Sequence, residues 1–90
     1  MASADFLKRR ALSFLADAYA DYERGDYELV LFHVEQFMQL HLKHLLYKRL
    51  GVFPKTHSST ELFKQVIKVY DSPLAAQFYR DNIEMIALLE

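Results

Sequence analysis

The sequence predicts an all-α fold arranged as an antiparallel four-helix bundle. Leu and Ala, which favour helix, occur 14 and 9 times, whereas Val, Ile and Thr together occur ten times. Two Gly and two Pro in 90 residues leave few turn residues for β-hairpins. These counts exclude an all-β protein. Because 90 residues are too few for two independent cores, residues 1–90 are predicted to form one domain.

The first predicted helix spans residues 4–24. Apolar residues recur along it at spacings of three and four: Leu7, Ala11, Phe14, Leu15, Ala18 and Tyr22. Gly25 follows, and glycine commonly marks the end of a helix. We therefore expect this helix to end at Arg24 and Asp26 to cap the next one.

The second predicted helix spans residues 27–50 and ends at Gly51 as a left-handed cap. Its apolar arc comprises Val30, Leu31, Val34, Met38, Leu42 and Leu45, widened by Phe37, Leu40 and Tyr47. The remaining polar wedge holds Glu28, Glu35, Gln36, Gln39 and Lys43. So wide an apolar arc needs cover from several neighbours, which predicts that this helix is the centre of the bundle.

Two further helices are predicted from their caps. Ser58 and Glu61 have the spacing of a capping box, and the stripe after them is Leu62, Phe63, Val66, Ile67 and Tyr70. Ser72 is expected to cap the fourth helix, with Pro73 at its first position. Apolar spacing then continues to Leu89, so we expect the chain to stop inside a helix. Either a longer protein continues here or another copy supplies the missing apolar partner.

Several chemistries are excluded by the residues that are missing. The chain has no Cys, which excludes disulfides, Cys-ligated metal sites and a thiol nucleophile. It has no Gly-rich phosphate loop, so no nucleotide cofactor site of the Walker or dinucleotide type is predicted. The absence of Cys also makes the cytoplasm the expected compartment. No stretch of about 18 uncharged apolar residues is present, which argues against membrane insertion.

The histidines are the obvious candidates for a metal site. His41 and His44 have the spacing that lets two ligands on one helix meet one ion. No Asp or Glu lies within a turn of the pair to complete the site, and two ligands alone bind weakly. We therefore predict no metal site, and we interpret these side chains as packed or hydrogen-bonded histidines.

Charge is strongly segregated along the chain. Residues 16–36 carry a formal charge of −5 and residues 41–70 a charge of +5. This segregation would steer an anion to the second region or let two copies attract each other, although charged helix faces are also ordinary solvated surface. Within the positive region, His57 precedes a helix N-terminus, Lys55 lies two residues earlier, and Arg49 ends the preceding helix. These residues could hold phosphate; alternatively, His57 packs the turn against Leu62.

The run from Phe32 to Leu46 and the turn after it resemble the HEPN domain (higher eukaryotes and prokaryotes nucleotide-binding). In that pattern a Gln is followed seven residues later by a Lys, then by a Gly turn and a Pro-x-Thr-His entry into the third helix. The matching residues here are Gln36, Lys43, Gly51, Pro54, Thr56 and His57. The resemblance covers roughly residues 4 to 90.

The resemblance implies an antiparallel helical bundle that dimerises, often paired with a minimal nucleotidyltransferase as a toxin–antitoxin unit. Many members of the family are RNases, and those carry Arg and His separated by four to six residues. This sequence departs from that pattern, because Arg49 and His57 are separated by seven residues and Arg24 and His33 by eight.

The sequence leaves two functional hypotheses, one for a binding module and one for an enzyme. The first is a dimeric partner module that binds nucleotide or RNA through Lys43, Arg49, Lys55 and His57, with no catalytic residue. The second is a metal-independent RNase whose site forms across the dimer, with His57 as general acid/base and Arg49 stabilising phosphate charge. A purely structural helical protein is the remaining alternative.

Overall fold

A computed structural model describes residues 3–90. Across these residues the protein is all-α, as predicted. Its five helices are α1 (Ser3–Arg24), α2 (Tyr27–Leu50), α3 (Ser59–Tyr70), α4 (Pro73–Asp81) and α5 (Ile83–Leu88). The predicted bounds of the first two helices are confirmed to within a residue. None of the described helices is long and apolar enough to cross a membrane.

The connection between α1 and α2 is tight and depends on glycine. Gly25 has φ of 78°, a left-handed conformation that glycine adopts without steric cost. Asp26 occupies the N-cap position of α2, but its side chain makes no capping hydrogen bond, which corrects the prediction. Its backbone N–H instead donates to the carbonyl of Asp21 at 2.9 Å, which closes the turn.

An eight-residue connection, the α2–α3 loop (residues 51–58), joins the next two helices. Gly51 forms the predicted left-handed cap of α2, with φ of 78°. Its N–H donates a hydrogen bond to the carbonyl of Tyr47 at 2.8 Å. Ser58 caps α3 by accepting the N–H of Glu61 on its Oγ at 3.1 Å. The reciprocal half of the capping box is absent from the described residues, since the N–H of Ser58 donates to Thr56 Oγ1.

The last part of the chain forms two short helices rather than one. Ser72 caps α4 by accepting the N–H of Ala75, and Pro73 opens the helix, both as predicted. The single helix predicted from Leu74 to the chain end is wrong, because Asn82 interrupts it. The Asn82 side chain donates to the carbonyl of Phe78 at 2.9 Å, and such local bonds compete with helix continuation.

The core lies between α2 and α3. Leu46 and Leu62 have no exposed surface, and Leu42 and Val66 complete the buried cluster. The helix α2 packs against α1 on one side and α3 on the other, while α4 and α5 pack against α3. The first half of α2 is therefore less covered than predicted, and its Leu31 is 58% exposed.

Candidate phosphate-binding site

The α2–α3 loop is held against α2 at two places. The Gln39 side-chain amide donates to the carbonyl oxygen of His57 at 2.7 Å. Further along α2, the ring of Tyr47 lies 6.0 Å from the ring of Phe53. The exposed side chains of Lys55 and His57 are therefore carried on a fixed connection that leads directly into α3.

Lys43, in the polar wedge of α2, lies beneath this loop. Its residue surface is 8% exposed, and its ammonium lies 5.8 Å from the ring centroid of Phe53. Burial lowers the pKa of Lys43, because desolvation disfavours the charged form. Gln39 and Lys43 of the polar wedge are both buried, since the loop folds back over this side of α2.

Arg49 lies at the other end of α3. Its guanidinium is 4.6 Å from the ring centroid of Tyr70, whose hydroxyl donates to the carbonyl of Leu45 at 2.7 Å. Because α3 rises by 1.5 Å per residue, the two ends of this 12-residue helix are about 17 Å apart. The structure thus brings Lys43 to the loop that carries Lys55 and His57, but it does not bring Arg49 to His57 within one chain.

Sequence reasoning missed a charged cluster between α1 and α2. Asp21 is 2% exposed, and its carboxylate pairs through one oxygen with Arg24. The other oxygen lies 2.5 Å from Nδ1 of His33. The spacing of Asp21 in the sequence could have revealed this cluster. Asp21 follows Ala18 by three residues, so it lies on the same face of α1 as the apolar residues that pack against α2.

The two histidines considered as metal ligands pack against neighbours, as predicted: His44 is buried, and His41 is exposed but stacks on a neighbouring ring. His33 bonds to Asp21, and the ring of His41 stacks on that of Phe37 at 5.6 Å. Burial lowers the pKa of His41, and the charges of His44 and Lys8 lower it further. Between residues 3 and 90, no group of three or more His, Cys, Asp or Glu side chains is placed to hold a metal ion.

The family model of the HEPN domain matches residues 4–90, essentially the whole chain. The chain belongs to the HEPN family. Neither the curated proteins nor the solved structures include a match to it. Membership of the HEPN family supports a helical module associated with nucleotide or RNA.

HEPN domains commonly dimerise, and this one has apolar surface that a second copy could cover. A groove of about 300 Å³ runs between α1 and α2. Its lining is almost entirely apolar: Leu15, Ala18, Tyr19, Tyr22, Val30 and Val34. Three more apolar side chains near the start of α2 are also exposed: Tyr27, Leu29 and Phe32. The HEPN domain thus presents a broad apolar face where α1 ends and α2 begins.

Proposed function

We propose that this HEPN domain is a dimeric partner module that associates with nucleotide or RNA and pairs with a minimal nucleotidyltransferase in a toxin–antitoxin-like unit. Four side chains are proposed to recognise phosphate: Lys43, Arg49, Lys55 and His57. The observation that carries the proposal is the fixed α2–α3 loop, which presents the exposed Lys55 and His57 before α3. A cytoplasmic location, where nucleotide and RNA are present, is part of the proposal.

The four side chains contribute unequally. Lys55 and His57 are exposed and can approach a phosphate directly, at a helix end whose free N–H groups favour anions. Lys43 adds positive charge beneath the loop. Arg49 is exposed at the far end of α3 and would contact a different phosphate of an extended ligand. This spread favours a single-stranded nucleic acid over a mononucleotide.

The alternative is a metal-independent RNase that uses Arg49 and His57. Such a reaction needs an acid/base group and a cation together at the scissile phosphate. Within one chain the two residues lie at opposite ends of α3. A second copy would therefore have to supply one of them, and we favour binding without cleavage.

Binding is tested with a labelled single-stranded RNA in EDTA over a series of salt concentrations. We expect Lys55→Ala to weaken binding and to reduce the slope of log K against log[salt] by about 0.7, the value for one phosphate contact on a single strand. Lys8→Ala is the matched control, because it removes the same charge from α1 rather than from the loop. Equal affinities for the two variants would contradict the proposed site.

The same RNA distinguishes binding from cleavage. Cleavage by the parent protein that both Arg49→Ala and His57→Ala abolish would establish the RNase alternative. We expect intact RNA at the end of the incubation, with binding that weakens as salt rises because it is mostly electrostatic.

Self-association and pairing are tested on the purified protein. Sedimentation equilibrium is expected to give about twice 10.6 kDa, because a dimer covers apolar surface that a monomer leaves in water. Tyr19→Arg, in the groove between α1 and α2, should return the protein to 10.6 kDa. The proposed pairing predicts that a minimal nucleotidyltransferase is encoded beside this protein and that the two, co-expressed, elute as a complex on gel filtration; separate elution would contradict the pairing.

A further inference from the structure

A groove of about 290 Å³ lies between α2 and α5. Helices that pack directly on each other have axes about 8–10 Å apart. No Cα atom of α5 comes within 8 Å of one in α2, so these two helices leave a gap between them. Six residues line this α2–α5 groove: Leu31, Glu35, Met85, Leu88, Leu89 and Glu90. None of them belongs to the proposed phosphate site, so the groove is a separate surface.

The apolar residues of the α2–α5 groove are exposed. Leu31 is 58% exposed and Leu88 is 86% exposed, and Met85 is half exposed between them. Exposed apolar side chains that cluster mark interaction surfaces. Leu31 lies about 100° around α2 from Val30, which lines the groove between α1 and α2. The helix α2 therefore presents two different apolar surfaces, and the α2–α5 groove is the second.

The charges around the α2–α5 groove are all of one sign. Residues 25–40 include the first half of α2, and residues 81–90 include α5. Together these two segments contain six Asp and Glu and no Lys or Arg: Asp26, Glu28, Glu35, Asp81, Glu84 and Glu90. Two of the six, Glu35 and Glu90, line the groove itself. Complementary charge on a partner of this surface is therefore positive.

Both acidic side chains of the groove are held in place. Glu35 accepts a hydrogen bond from the Gln39 side-chain amide at 3.3 Å. Glu90 accepts hydrogen bonds from Ser58 Oγ and, at 2.8 Å, from Thr60 Oγ1. The bond from Ser58 contributes most to a lowered pKa of Glu90, which keeps this carboxylate charged. A partner thus meets charges that are already positioned, which reduces the entropy lost on binding.

We propose that the α2–α5 groove docks a basic amphipathic helix of a partner protein. Apolar side chains of that helix, three or four residues apart, contact Leu31, Met85 and Leu88, and its Lys or Arg side chains lie beside Glu35 and Glu90. Nucleic acids and anionic membranes are disfavoured, because both would meet charge of their own sign. Two copies joined groove to groove are disfavoured for the same reason. The proposal goes beyond the proposed function and does not depend on it.

The probe is a synthetic peptide of about 14 residues in which Leu recurs at helical spacing and Lys fills the other positions. A second peptide has Glu in place of every Lys. Fluorescence anisotropy measures the affinity of each labelled peptide for the protein over a series of salt concentrations. We expect the Leu–Lys peptide to bind, more weakly as salt rises, and the Leu–Glu peptide not to bind. Equal affinity for the two peptides, or binding of neither, would overturn the proposal.

Variants of the protein test the residues of the groove. Leu88→Ala should weaken binding of the Leu–Lys peptide about tenfold, because apolar contact surface is lost. Leu74→Ala is the matched control, since Leu74 is 78% exposed on α4 and lies outside the groove. Glu35→Gln should weaken binding about threefold, whereas Glu23→Gln on α1 should bind like the parent. Equal affinities within either pair of variants would overturn the proposal.

Two further readouts identify the place and the occupant. The Leu–Lys peptide should shift the amide resonances of residues 31–35 and 85–90 in the ¹⁵N-labelled protein; shifts confined to the groove between α1 and α2 would overturn the proposal. In sedimentation equilibrium, Leu88→Ala should have the same mass as the parent. A lower mass for Leu88→Ala would show that a second copy covers the α2–α5 groove, and it would refute docking of a different protein there.

Discussion

The Nδ1 atom of His33 lies 2.5 Å from the Oδ2 atom of Asp21, and this contact joins α2 to the last turns of α1. The other carboxylate oxygen pairs with Arg24, so one buried side chain holds two partners. Burying a carboxylate is costly unless it is paired and hydrogen-bonded. The pairing of Asp21 thus makes it a specific point of registration between the two helices.

Asp21→Asn is expected to lower the free energy of unfolding by about 1–3 kcal/mol, because a charged acceptor is lost between two donors. Asp17→Asn on the same helix is the control. Asp17 is exposed, and its substitution should change stability by about 0.5 kcal/mol or less. Urea denaturation followed by circular dichroism measures both, and equal midpoints would show that the cluster contributes nothing.

Gln39→Leu is expected to loosen the α2–α3 loop. The substitution removes the donor to the His57 carbonyl, a bond of about 1 kcal/mol, so local opening should become about fivefold more frequent. Hydrogen exchange of the amides in residues 52–58 measures this opening. Gln36→Leu, one turn earlier on α2, makes the same chemical change without touching the loop. Similar exchange in the two variants would contradict the anchoring role of Gln39.

Lys8→Gln is expected to raise the pKa of His41 toward its ordinary value of 6.5, because it removes a nearby positive charge. The pKa should remain below 6.5, since burial is the largest cause of the lowering. An NMR titration of the imidazole protons measures this, and Arg9→Gln on the adjacent residue is the control. A larger rise with Arg9→Gln would refute the assignment to Lys8.

The sign of the His41 contribution to stability follows from the same shift. Between its lowered pKa and 6.5, the unfolded chain binds more protons at this residue than the folded chain does. The contribution of His41 to the free energy of unfolding therefore falls as the pH drops below 6.5. In Lys8→Gln this fall should be smaller.

Leu46→Ala is expected to lower the free energy of unfolding by about 2–5 kcal/mol, because it leaves a cavity between α2 and α3. Leu46 has no exposed surface, whereas the control residue Leu74 is 78% exposed. Leu74→Ala should change stability by about 0.5 kcal/mol or less. Thermal and urea denaturation measure both, and a small effect at Leu46 would place the core elsewhere.

The helix ends could be predicted because their signals are local. Gly51 adopts the expected left-handed cap, and Ser58 and Ser72 each accept a backbone N–H three residues later. Such a signal depends on residues within one turn of the chain. The break at Asn82 is also local, but an Asn within an apolar helical pattern does not by itself distinguish a cap from an exposed helical position.

The surroundings of the candidate site could not be predicted in the same way. Lys43 is polar and lies among polar residues of α2, yet it is buried because a loop of distant residues folds over it. The contact of Glu90 with Ser58 joins residues 32 positions apart. No periodicity within one helix contains that information, since it depends on how the helices pack.

The packing of α1 also bears on the order in which the protein folds. Among the described helices α1 contacts α2 alone, and a two-residue turn joins them. Contacts between segments so close in the chain form quickly, because little loop entropy is lost in closing them. We expect the α1–α2 hairpin, helices α1 and α2 with the turn between them, to form early as a cooperative unit.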